Sequence, residues 1–314
     1  MKRLALTILL ALLSAGASAT LNPVTAMAAD YKASFLYSLS DFSGFKPLNG
    51  ARLNLDPIKQ EIYAIGPETV YIFNSSGMEV FRFDQDPSIG TYSDITFTSD
   101  HKMVVLANKD QRPRLVICNF RGEPTGEIKL NGFPPEFENF GPNRIISQNG
   151  KFYLVSYNGM QVVITDEQGK FIRGYDLVKE FELKEGQRAE TGLGGFAVDK
   201  DGVMYFSVPA LANVIILKPD GATVAFGKRG STAGRFGVNT GIAVDRNGHV
   251  LVVDKLRSTV IVFDKNNAVV TEFGKRGFDP GDFIIPDAII VDSNNRAYIS
   301  NLRKRGVTVY QLPQ

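Results

Sequence analysis

The residues of this chain with the types and spacing to do chemistry are mostly basic and clustered. Lys228 and Arg229 lie in a GKRG run that recurs, with Lys275 and Arg276, 47 residues further on. Further bases stand at Lys255 and Arg257, at Arg303, Lys304 and Arg305, and at Lys109, Arg112 and Arg114. Cations at this density hold carboxylates or phosphates and steer acidic partners from a distance. Nucleophilic and zinc chemistry has far less to work with. There are two histidines, His101 and His249, and one cysteine, Cys118. A catalytic zinc usually takes three protein ligands beside its open position. A lone cysteine excludes an internal disulfide, and Cys118, inside the apolar run Leu115–Phe120, reads as a buried strand residue.

A repeat must position these residues. Gly234-Arg235-Phe236 recurs as Gly281-Asp282-Phe283, and Asp245 as Asp292, both at the spacing of the GKRG runs. A fixed period of this length marks a repeat architecture. One unit reads as four short strands. Ile242-Ala243-Val244 ends at Asp245, and Asn247-Gly248 suits a tight hairpin. His249–Val253 and Val260–Phe263 follow, and Ala268–Phe273 ends the unit. The inner runs are apolar at consecutive positions, so both faces of the strands are covered. Four-stranded sheets stacked about an axis form a β-propeller.

Weaker copies run back through residues 196–226, 145–173, 95–128 and 53–83, and the count is six. The sixth copy stops one strand short at Val307–Tyr310, while residues 33–39 form a spare strand near the other end. The predicted fold is therefore all-β, a six-bladed propeller of four-stranded antiparallel blades, closed by strand 33–39 completing blade six. Pairing the termini in this way removes an exposed edge.

Lys2 and Arg3 precede an apolar run from Leu4 to Leu13 and the small residues Ala17-Ser18-Ala19. This predicts a secretory signal peptide over 1–19, with a second A-x-A at Ala26 to Ala28 offering a cut at 28–29. The apolar run is short of the roughly 20 residues of a spanning helix, so no stable membrane anchor is expected after cleavage. Residues 30–314 read as one domain, periplasmic or secreted. The chain carries 35 bases and 33 acids, and losing Lys2 and Arg3 leaves 33 of each sign. A neutral, exported chain disfavours nucleic acid as a partner.

The residues Gly234-x-Phe236, Gly241–Asp245, Asn247-Gly248, Val250–Asp254, Arg257 and Val260–Asp264 together resemble the NHL repeat. Blade six keeps most of the pattern but has Asn301 where Asp254 stands. The match is close over 192–312 and degenerate over 48–177. The resemblance agrees with six blades and implies no single activity. An amidating lyase related to NHL proteins holds zinc through histidines at the channel. Here His101 and His249 fall in blades two and five, on opposite sides of the ring, and cannot converge.

Gluconolactonase-like propellers bind a divalent cation at the channel mouth, and by that analogy the ligands here are Asp94, Asn143, Asn239 and Asp287. Asp and Asn also commonly start strands and satisfy loops. Arg52 and Arg144 align with Asp94 and oppose a cation. A cation-dependent hydrolase or lyase is accordingly the alternative reading, and the preferred one needs no cofactor.

That preferred reading is a binding or scaffold propeller for a protein or anionic ligand. Loops joining second to third strands, and one blade to the next, share one rim. There Lys228, Arg229, Lys255, Arg257, Lys275, Arg276, Arg303, Lys304 and Arg305 gather over blades five and six. With Arg235 between blades four and five, and Lys109, Arg112 and Arg114 of blade two, thirteen bases face four acids, Asp110, Asp254, Asp279 and Asp282. The charges form a positive sector for an acidic partner, or they simply solvate the rim. Two long connections remain. Residues 131–142 carry Phe133, Phe137 and Phe140 and read as a loop packed on the rim or as an apolar contact site. Residues 177–191 read as a mobile surface loop.

Overall fold

A computed structural model describes residues 31–39, 48–303 and 306–314. The predicted signal peptide over 1–19 and its later cut at 28–29 lie outside them, as do Lys304 and Arg305. No helix among the described residues is long and apolar enough to cross a membrane.

The described strands form six four-stranded antiparallel sheets. Blades one to four span 52–84, 91–128, 144–176 and 195–226. Blade five comprises Asn239–Val244, Val250–Asp254, Thr259–Phe263 and Val269–Phe273. Blade six comprises Pro286–Val291, Arg296–Asn301, Val307–Gln311 and, as its outer strand, Ser34–Leu39. Leu39 pairs with Val307 and Ser34 with Gln311, with a bulge between Phe35 and Tyr37. The predicted closure is the observed one, within one residue. The six innermost strands touch in a ring, the last meeting the first.

Continuous apolarity has the expected cause. Both middle strands of blade five are buried at every position. Val250 and Val252 pack with Val214 and Phe236 toward blade four. Leu251 and Val253 pack with Phe283, Ile289 and Ile299 toward blade six. The period-two side-chain alternation of a strand thus divides one apolar run between two interblade layers. At about 1.5–3 kcal/mol for each fully buried aliphatic, these layers hold neighbouring blades together.

Aspartates fix the turns. In the first turn of blade five, Asp245 Oδ1 accepts from Asn247 N at 2.9 Å and His249 N at 2.8 Å. Asp199 and Asp292 do the same in blades four and six. On the opposite face the fully buried Asp254 accepts from Gly237 N at 2.6 Å and Arg257 N at 2.9 Å. It ties the loop between blades to the loop within the blade. Asn301 does part of this work in blade six, accepting from Ile284 N at 3.0 Å.

The two long connections carry short helical turns and make defined contacts. Phe137 and Phe140 are buried against blade three, and Phe133 lies 5.7 Å from Phe171, ring to ring. The packed-loop reading of 131–142 is the observed one. The segment 177–191, read as a surface loop, has local structure of its own. It forms helical turns at Leu177–Glu180 and Arg188–Thr191. Arg188 pins them, with Nη2 3.0 Å from both oxygens of Asp176 and Nη1 donating to Gly159 O at 2.7 Å.

Candidate functional site

The rim over blades five and six is built by the repeat itself. Phe236 N donates to Lys228 O and Phe283 N to Lys275 O, each at 2.9 Å. Both phenylalanines are fully buried, and their rings fill the space where a Cβ on Gly227 or Gly274 would stand. Each loop is therefore held by its glycine and phenylalanine, which turns the intervening Lys-Arg pair outward. Lys228, Arg229, Lys275 and Arg276 are all exposed, as is Arg303.

Three of the other predicted cations, Arg257, Lys255 and Arg114, are engaged, while Arg112 is exposed. Arg257 makes a bidentate pair with Glu272, at 2.8 and 2.6 Å, and donates to Arg235 O at 2.8 Å. Lys255 Nζ lies 2.8 Å from Asp287 Oδ1. In blade two, Arg114 is paired with Glu127 at 2.8 Å. Burial and these partners change the sequence tally. Glu272 and Glu127 sit on outer strands and Asp287 on an inner one, so a count by loop did not include them. Arg229 is partly engaged, Nη2 donating to Ala210 O at 3.0 Å and Pro209 O at 3.2 Å. Lys275 is 3.9 Å from Asp282.

Two apolar residues on the same rim were missed in the sequence. Phe278 is 79% exposed and Leu256 60%. Arg276 Nη2 donates to Leu256 O at 3.4 Å, which joins the two loops. A signal existed: Phe278 stands in the second GKRG copy where the first has Ser231.

The channel mouth on this face is cationic on one side. Arg52, Arg144 and Tyr157 line it, with Asp287 and the inner-strand backbones of blades four to six. Of the four residues suggested for a cation, Asp94 is fully buried. It accepts from Asn54 Nδ2, from Arg144 Nη1 at 3.1 Å and from Ile145 N at 2.9 Å. Asn143 Oδ1 accepts from Tyr157 N at 3.1 Å, and Asn239 Nδ2 donates to Asn213 O at 2.8 Å. Asp287 is held by Lys255. These side chains serve loops and ion pairs, and the guanidiniums stand where a cation would be repelled. Among the described residues no group of three or more His, Cys, Asp or Glu can hold a metal ion. His101 and His249 lie in the first turns of blades two and five, as predicted. His249 Nδ1 is 2.9 Å from Asp245.

No family model and no curated protein sequence matches the chain. Solved structures do. An auxiliary nutrient binding protein from Bacteroides ovatus superposes with TM-score 0.63 at 14% identity, over 90% of this chain and 78% of its own. One from Bacteroides thetaiotaomicron gives 0.63 at 13%, over 90% and 77%. The virginiamycin B lyase of Staphylococcus aureus gives 0.54 at 14%, over 87% and 82%. At these identities the likeness is one of fold: proteins named for nutrient binding and for a lyase activity share the six-bladed propeller with this chain.

Proposed function

We propose that this chain is an exported, NHL-type propeller that binds an acidic protein or other anionic ligand, without catalysis, in the bacterial envelope or outside the cell. One observation carries the reading. Lys228, Arg229, Lys275, Arg276 and Arg303 are exposed on one face together with Leu256 and Phe278. Charges guide encounter, and a buried aromatic anchor holds the complex. Phe278 is the most exposed large hydrophobic among the described residues, and it stands beside these cations. The nutrient-binding names of two fold neighbours support a binding role.

The test uses proteins that co-purify with the wild type from its own host. Lys275→Glu with Arg276→Glu should weaken their capture about tenfold or more at low salt. Phe278→Ala should weaken it at every salt concentration. Capture unchanged in both variants would overturn the reading.

A further inference from the structure

The channel mouth carries a second inference, independent of the rim. Arg52 and Arg144 reach it from blades one and three. Arg52 Nη1 donates to Asn143 O. Arg144 Nη1 donates to Leu53 O at 3.3 Å and to Asp94 Oδ1 at 3.1 Å. A guanidinium has five N–H donors in a planar fork. Among the described residues, Nε and Nη2 of both arginines meet no protein acceptor, and none of these four nitrogens is a buried unpartnered atom. They are open to the cavity that the two side chains line.

The charges there do not cancel. Asp94 neutralises Arg144 and Lys255 neutralises Asp287. Arg52 has no carboxylate partner among the described residues. Tyr157 lines the same cavity; burial pushes its phenol up, and Arg144 and Arg52 only partly oppose this. It stays a hydrogen-bond donor at neutral pH. The opposite wall is inner-strand backbone of blades four to six, where Phe196, Ile242 and Ile289 turn their side chains into the interblade layers and Ile290 is half-buried. The cavity of about 110 Å³ has room for several water molecules. A second cavity of about 240 Å³ shares Arg144 and Ile290 with it and is lined by the half-buried Ile146, Val198, Val244 and Val291 together with the polar Asn54, Thr96, Ser147 and Gln148. A cationic cup thus adjoins a channel segment that carries a strip of half-buried aliphatic side chains.

We infer that the mouth is a binding site for a monocarboxylate with a short hydrocarbon tail. The carboxylate lies across the free donors of Arg52 and Arg144, where a planar fork matches two oxygens. The tail runs past Arg144 along Ile290, Ile146, Val198 and Val244 of the second cavity. One unbalanced guanidinium favours a single negative charge over a dianion, because a second charge has no partner in this low-dielectric cup.

The experiment is calorimetric titration of the full-length protein with acetate, butanoate, hexanoate, hexanamide and inorganic phosphate. Affinity should rise from acetate to hexanoate. It should fall about tenfold or more for hexanamide, which keeps the tail and loses the charge. Phosphate should bind more weakly than butanoate. Arg52→Gln should weaken hexanoate about tenfold, with Arg52→Lys intermediate and Lys218→Gln, in an exposed turn on the opposite face, equal to wild type. Circular dichroism of each variant checks folding, and the wild-type series decides the matter even where Arg52→Gln does not fold. Absence of saturable hexanoate binding, equal binding of hexanamide, or a folded Arg52→Gln with wild-type affinity would each overturn the site.

Discussion

Tyr31 Oη donates to Asp245 Oδ2 at 3.1 Å, across 214 positions of sequence. Asp199 and Asp292 receive the same bond from a tyrosine of their own second strand, Tyr205 at 2.9 Å and Tyr298 at 3.0 Å. Blade five has Leu251 at that position, and Tyr31 fills the role from outside the blade. Its ring also meets His249 edge-on at 4.9 Å. Tyr31→Phe keeps the packing and leaves this carboxylate oxygen with His249 alone. The expected loss is about 1–2 kcal/mol of unfolding free energy by urea titration. A change below about 0.3 kcal/mol would show that His249 suffices.

The glycines that start the two GKRG runs are predicted to tolerate no side chain. Gly227 has φ +103° and a Cβ there would stand 2.5 Å from the Phe236 ring. Gly274 has φ +81° and the corresponding approach to Phe283 is 2.1 Å. Alanine meets a left-handed backbone and an immovable ring at once. Each substitution should cost about 2–4 kcal/mol, read as a lower melting temperature. Gly150→Ala is the comparison: at φ +68° with nothing within 4 Å, it should pay only the backbone penalty of about 1 kcal/mol.

Closure by strand Ser34–Leu39 makes a third prediction. Leu39 is fully buried beside Val307 and Val309. Leu39→Ala should destabilise by about 2–5 kcal/mol. Because the blades share their interblade layers, the whole ring should unfold in one transition. A separate early transition confined to blade six would contradict this.

Alkali should unfold the protein over a defined window. Burial raises the Cys118 thiol from 9.0 to about 12, and the Tyr92 and Tyr310 phenols from 10.0 to about 12. Each folded value lies above the unfolded one, so this stability is complete below about pH 9 and is lost as pH rises toward 12. Melting temperature against pH should be flat to about 9 and then fall. Cys118→Ala should move the onset toward 10, where the phenols begin. Native Cys118 should also resist thiol reagents at pH 8 and react once urea unfolds the chain. Rapid labelling of the folded protein would contradict its burial.

Much of the fold is local and so was readable in order. Four β-branched runs, Asn-Gly turns and a fixed spacing specify one blade, and the copies fix their number. The spare strand 33–39 and the shortfall at 307–310 then leave one economical way to close. The charges were read less well. Thirteen bases against four acids described loops as if strands carried no charge, and Arg257, Lys255 and Arg114 each turned out to have a carboxylate partner on a strand. Phe278 was passed over because a single aromatic in a polar loop carries no period.

The sequence by itself determined the blade, its repetition and the closure, because strand runs and hairpin turns depend on residues a few positions apart. Only the tertiary structure decided which cations face water and which atoms share the channel mouth. Arg52 and Arg144 lie 92 positions apart, and no run of residues relates them. What brings them to one cavity is the rotation from blade to blade about the axis, a property of packed sheets rather than of any stretch of chain.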